Sequence, residues 1–305
     1  MGRILLLAVF CAVPALAGAQ EPLAPAAAPQ SATEAAPLPD IGKLLLDVER
    51  NQKAAEAARK DYTYHVHFEQ TELDGKGNVK KTTVTDSESV TINGVRVDRV
   101  VARDGKPLTA EEAAKESERI DKEVAKDKER REKREGKGQE TDSRGDQIIS
   151  ASRILELGTF SNPRRVELDG RSTIVADYAG DPNAKTRQTA EGVIRDLVGT
   201  VWIDEKGRAL VRAEGHFRND YKIGGGLVAD VRKDSSFSAR FVRINDEVWL
   251  PAAIEGQGRV RVLLVSGFNG RIHMTASDYR KFRTNSTIVS SSDAIAPDAK
   301  PALGP

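Results

Sequence analysis

GTVWIDEKGRALVRAEGHFRNDYKIGGGLVADVRKDSSFSARFVRINDEVWLP, residues 199–251, reads as a meander of antiparallel strands and decides the fold class. After Trp202 a turn at residues 204–207 leads into a run in which Ala209, Val211, Ala213, Gly215 and Phe217 alternate with Leu210, Arg212, Glu214, His216 and Arg218. Alternation with a period of two marks a half-buried strand, because successive side chains leave opposite faces of the pleat. The run Gly224, Gly225 and Gly226 supplies a turn. Beyond it, Phe237, Ala239 and Phe241 are expected on one face and Ser236, Ser238 and Arg240 on the other. The sheet should have one apolar and one wet face.

The same pattern appears upstream, where Tyr62, Tyr64, Val66 and Phe68 alternate with Thr63, His65, His67 and Glu69. Residues 74–78 carry hairpin chemistry, a second strand covers about 79–92, and Asn93-Gly94 is a favoured two-residue turn into a third strand at about 95–102. Asp40 is placed to cap a helix to about residue 60, with Ile41, Leu44, Leu45 and Val48 on one face. Such a helix needs a sheet to cover. Thr109 and Glu112 have the spacing of a capping box for a second helix at about 110–134. Glu and Asp there alternate with Lys and Arg, and Glu111/Lys115, Glu118/Lys122 and Glu129/Lys133 stand four apart with the acid first. Most of this helix should face water. A short helical segment is expected near residues 148–157, a hairpin at 166–178 turning at Asp169-Gly170, and two last strands at about 253–265 and 270–282.

The 305 residues carry a formal charge of +1, which argues against a dedicated nucleic-acid binder. Arg3, an apolar run from residue 4 to 13, and small residues up to Ala19 read as a Sec signal peptide over residues 1–19. The one cysteine, Cys11, lies within it, so the exported chain would have no disulfide and no thiolate site. Residues 20–39 are rich in Pro and Ala and read as a disordered linker, and residues 287–305 as a disordered tail. One domain is expected over 40–286, with the charged helix as an insertion at 109–138. The chain should be periplasmic, with no transmembrane segment.

No Gly-X-Ser-X-Gly elbow occurs, and the glycine run lacks the Lys-Ser/Thr of a phosphate loop. Of the four histidines, His65 and His67 share a strand face, so a metal pair is geometrically open, although two imidazoles on a wet face is the simpler reading. His216 and His273 fall at polar positions, and Asp204 reads as a turn former. These residues support no enzyme, no cofactor and no metal site. Trp202 and Trp249 serve either core packing or the wall of an apolar pocket.

The order of a signal peptide, an amphipathic helix, a three-strand run, helices and a long meander resembles the LolA/LolB-like outer-membrane lipoprotein-sorting superfamily, which includes the sensor RseB. Trp202-Ile203-Asp204, a turn, and Leu210 to Glu214 carry most of the likeness, with Asn245-Asp246-Glu247-Val248-Trp249-Leu250-Pro251 closing it. The resemblance implies an α+β fold: a curved antiparallel sheet forming a half-open β-barrel, covered on its concave side by helices, here with a projecting charged helix. It further implies a non-catalytic carrier of acyl chains, with a lipid or lipidated protein as partner. Tyr62, Tyr64, Val66, Phe68, Trp202, Phe217, Phe237, Phe241 and Trp249 are the candidate pocket wall. The alternative is a periplasmic interaction or sensor module that docks an envelope protein through the charged helix; oligomeric state stays open.

Overall fold

The computed structural model of the chain describes residues 37–135, 149–187, 189–223, 229–233, 235–262 and 266–282. The expected signal peptide, most of the linker, the Gly224 to Gly226 turn and the tail from residue 287 lie outside the described residues.

Helix α1, Ile41–Ala54, begins where Asp40 accepts the Lys43 N–H at 2.7 Å, which satisfies one of the open donors of its first turn. Leu44 and Val48, one turn apart, are buried, and α2, Glu56–Lys60, continues the chain to the sheet. Strands β1, Tyr62–Leu73, β2, Val79–Ile92, and β3, Val95–Arg103, form the expected antiparallel run. Asn93 and Gly94 both take positive φ, 50° and 78°, as a two-residue hairpin turn with right-handed strand twist requires. Asp74 ties the preceding hairpin by accepting the backbone N–H groups of Lys76 and Asn78. A short β4, Lys106–Pro107, follows.

Helix α3, Ala110–Glu135, opens on the expected capping box: Thr109 N–H donates to Glu112 at 2.9 Å, and Glu112 N–H to the Thr109 hydroxyl at 3.3 Å. All three expected Glu/Lys pairs form on its wet sides. The helix is also tied to the sheet. Glu116 accepts the Val100 N–H at 2.8 Å, and Arg119 donates to the Asp98 carbonyl at 2.7 Å. Ile120, one turn beyond Glu116, packs on Val95 and Val97, with Val124 partly buried beside it. Thus α3 projects its charged sides into water and uses one stripe to satisfy backbone groups of β3.

After α4, Ala151–Leu157, come β5, Gly158–Leu168, β6, Arg171–Gly180, α5, Thr189–Arg195, β7, Leu197–Asp204, β8, Ala209–Phe217, and β9, Tyr221–Ile223. Strands β10, Ala229–Val231, β11, Ser236–Ile244, β12, Val248–Val262, and β13, Ser266–Lys281, complete the chain. Three details differ from the sequence reading. Strand β5 starts at Gly158 rather than near residue 166, because a register shift between Ser161 and Arg164, with Asn162 at φ 50°, accommodates Pro163. Helix α5 lies in a segment to which the sequence reading assigned no element. Strand β12 runs straight through Pro251, which sits opposite a register shift between Arg240 and Phe241.

Among the described residues the strands form a nine-stranded sheet in the order β4-β3-β2-β1-β13-β12-β10-β9, with β11 also on β12, and a four-stranded sheet β5-β6-β7-β8. Strand β8 runs beside β11, where the Phe217 N–H donates to the Ser235 carbonyl at 3.0 Å. The result is one curved antiparallel succession from β5 at one edge to β4 at the other, a half-open barrel with α1 and α2 on its concave side. The pairing of β1 with β13 joins Tyr62 to Lys281 and Glu72 to Gly270, so the two ends of the domain lock together.

Candidate functional site

Helices α1 and α2 identify which face is enclosed. Leu44 and Val48 pack on Ile174 and Ile203, with Val201 and Leu210 beside them. Tyr62, Tyr64, Val66, Val248 and Leu250 form a second buried cluster, against which Ala58 of α2, Ile244, Met274, Ala276 and Tyr279 pack. Directly paired residues share a face, so the registers carry this assignment from strand to strand.

Followed this way, the nine candidate wall residues separate. Tyr62, Tyr64, Val66 and Phe68 lie on the helix-covered face by alternation along β1. Phe217 lies there as the partner of Leu197, in phase with Val201 and Ile203. Phe237 lies there through its partners Gly256 and Ile272, which lead to Gln70 in phase with Phe68. Trp202 does not, since it falls between Val201 and Ile203 and points to the opposite face, under the Arg212 guanidinium at 4.6 Å. Trp249, between the inward Val248 and Leu250, also leaves by the opposite face, with Arg171 5.8 Å over its ring. Phe241 pairs with Pro251 beside a register shift whose extra residue, Ala252, lies on β12.

Near the end of the inner face the aromatic groups have polar partners. Tyr62 donates to Glu247 at 2.9 Å and accepts from Asn245 at 3.0 Å, and Lys281 holds Glu247 at 2.6 Å. Burial, opposed by the Asn245 bond and reinforced by Glu247, raises the Tyr62 hydroxyl above its ordinary pKa. Tyr279 donates to the Pro251 carbonyl at 2.6 Å, and burial pushes its hydroxyl up to about 12. Both stay neutral donors at physiological pH.

The sequence reading passed over a polar group on this face. Arg96 is 7% exposed, donates to the Tyr62 carbonyl at 3.0 Å and to the Arg59 carbonyl, and lies 5.4 Å from the Tyr64 ring centre. Ser89 pairs with Tyr64 and with Asp98, and Thr91 pairs with Arg96, so these side chains share the inner face. Arg59 approaches from α2 and pairs with Glu56 at 3.6 Å. Counting outward from the Asn93-Gly94 turn would have placed Arg96 opposite Thr91. That count gives no depth, and depth is what makes the group unusual.

His65 and His67 share the outer face, as expected, around Asp86. His67 is bonded to it at 2.8 Å and His65 stands 3.7 Å away. No group of three or more His, Cys, Asp or Glu among the described residues is arranged to hold a metal. Asp204, fully buried, accepts from Arg171 at 2.6 and 3.0 Å and from the Gly207 N–H, which makes it the organiser of the β7–β8 turn. No helix among the described residues is long and apolar enough to cross a membrane.

No family model and no curated protein matches the chain. Among solved structures it is similar to an outer membrane lipoprotein-sorting protein domain from Vibrio parahaemolyticus, at 9% identity and a TM-score of 0.31 over 81% of this chain and 95% of that one. It is also similar to a LolA superfamily protein from Nitrosomonas europaea, at 10% identity and 0.28 over 79% and 92%. A DUF1329 family protein from Desulfovibrio piger gives 10% identity and 0.32 over 81% and 96%. The half-open barrel follows from this chain's own strand registers.

Proposed function

We propose that the chain is a non-catalytic periplasmic binding protein, lipid or lipoprotein carrier-like, that holds acyl chains against the helix-covered face of its sheet. One observation carries this reading: six of the candidate apolar residues, Tyr62, Tyr64, Val66, Phe68, Phe217 and Phe237, share the concave face, and among the described residues the helices packed across it are α1 and the five-residue α2. A lid this short can shift without unfolding the sheet beneath it, because each strand keeps its ladder partners. Burying twelve methylenes of an acyl chain would contribute about 10 kcal/mol before the costs of association. The amino-terminal pattern of residues 1–19 supports export, and the sequence resemblance to lipoprotein-sorting proteins points the same way.

Native mass spectrometry of protein taken from a periplasmic extract is expected to show a co-purifying lipid, and lipid-stripped protein should take up a fluorescent fatty acid with saturable stoichiometry. Protein that carries no lipid and takes up no probe refutes the reading. The docking alternative draws support from an open cleft of about 400 Å³ between α3 and the β2–β3 hairpin, lined by Ile92, Val124 and Ala125 and edged by Asp121 and Lys128.

A further inference from the structure

We infer that Arg59, Ser89, Thr91 and Arg96 form a site for the anionic oxygens of an amphiphile's head group, a carboxylate or a phosphate ester. The inference rests on the acyl-binding reading above and adds what the polar end of the ligand must be. Four observations converge. Ser89 is fully buried and its hydroxyl has no hydrogen-bond partner; the Thr91 hydroxyl and Arg59 Nε are likewise enclosed and unpartnered. Buried polar groups are nearly always satisfied, so three orphans in one neighbourhood require an explanation. Thr91 stands opposite Arg96 and Ser89 opposite Tyr64 on the helix-covered face, so two of the orphans share the face of the buried guanidinium, and the Arg59 carbonyl reaches it from α2. Arg96 donates to two backbone carbonyls, whereas a guanidinium carries five N–H donors.

Every group without a partner there is a donor: two hydroxyls and one N–H. A ligand that offers several acceptor oxygens satisfies them together, and carboxylate and phosphate do so with charge-assisted bonds to guanidinium. Burial, opposed by Glu56 and reinforced by the Arg96 charge, holds the Arg59 guanidinium below its ordinary pKa, a strain that an incoming anion relieves. Glu56 beside Arg59 and Asp98 opposite Ser89 are the carboxylates facing the group. Net charge is therefore close to balanced, and fixed donors rather than overall field select the head. Entry is at α2, where the Arg59 side chain is 27% exposed, and the apolar face of Tyr64, Val66 and Leu250 continues from there for the tail.

The test compares dodecanoate, dodecanol and inorganic phosphate on the lipid-stripped full chain by calorimetry. Dodecanoate is expected to bind at least about tenfold more tightly than dodecanol, and Arg59→Gln to remove most of that difference while leaving dodecanol unchanged. Ser89→Ala separates a binding role from a structural one. Deleting a buried hydroxyl without a partner should raise the melting temperature of the ligand-free protein and weaken dodecanoate about fivefold. Equal affinity for dodecanoate and dodecanol, or a Ser89→Ala variant with unaltered dodecanoate affinity, overturns the inference and leaves the acyl-binding reading standing. Phosphate binding as tightly as dodecanoate overturns the amphiphile assignment in favour of a free-anion site. Binding of neither chain compound sinks the acyl-binding reading, and the inference falls with it.

Discussion

Replacing Glu116 by Ala tests whether α3 is part of the architecture or a detachable arm. Its carboxylate is 4% exposed and holds two things at once: the Val100 N–H on β3 and the Arg119 guanidinium, which itself caps the Asp98 carbonyl. Truncation leaves the Val100 N–H buried without an acceptor and loses a charge-assisted bond, a loss of about 1.5–3 kcal/mol. Arg119 is 27% exposed, so water takes over part of its pairing, and the total should be about 2–4 kcal/mol. For a domain of this size that lowers the melting temperature by about 5–15 °C. Urea denaturation measures the free energy, and amide hydrogen exchange at Val100 reports the local bond. Glu116→Gln, which keeps an acceptor but no charge, should cost about half as much. Burial works against ionisation of Glu116, but the Arg119 and Val100 bonds outweigh it and hold its pKa below 4.5. A depressed folded pKa means that this stabilisation is whole above about pH 4.5 and fades as the pH falls below it. If Glu116→Ala stays within about 0.5 kcal/mol of the parent and Val100 remains protected, the sealing of β3 by α3 is wrong, and a docking helix becomes the better account.

Other expectations follow from single sites. The carboxyls of Glu191, bonded to Arg153, and Glu205, bonded to Arg165, are drawn down to about 2, below the ordinary 4.5. Their contribution to stability is complete above about pH 4.5 and lost as pH falls toward 2, so Glu191→Gln should flatten the pH dependence of urea midpoints in that window; an unchanged slope contradicts the pairing. Asp204→Ala removes the acceptor of Arg171 and of the Gly207 N–H and should cost about 2–4 kcal/mol, read by thermal melting, with a loss under about 0.5 kcal/mol counting against its place in the turn. Gly215→Ala would put a methyl 2.6 Å from the Val198 carbonyl and 3.1 Å from the Phe237 ring, an overpacking expected to cost about 1–3 kcal/mol and to shift Phe237 on the inner face. Paired His65→Ala and His67→Ala changes should leave the fatty-acid uptake of the parent intact, since both rings face outward beside Asp86; lost uptake would place them in the binding route.

Local chemistry was legible in the chain itself. Asp40 and Thr109 are caps because a short oxygen reaches the open N–H groups of the first turn, whatever the helix later packs on. Asn93-Gly94 and Asp169-Gly170 turn where two positive φ values are tolerated, and alternation along β1 placed Tyr62, Tyr64 and Val66 together. Acid-first pairs along α3 form across one helical turn and need no tertiary partner. Tertiary structure alone decided which residues meet at a distance. The closure of β1 on β13, the sealing of β3 by Glu116 and the depth of Arg96 depend on elements far apart in the chain, and no spacing encodes depth. The same limit governed the aromatic residues. Alternation specifies a face only relative to its neighbours, so the helices over Val201, Ile203, Val248 and Leu250 and the ladder back to β1 determined that Trp202 and Trp249 face outward while Phe217 and Phe237 face inward.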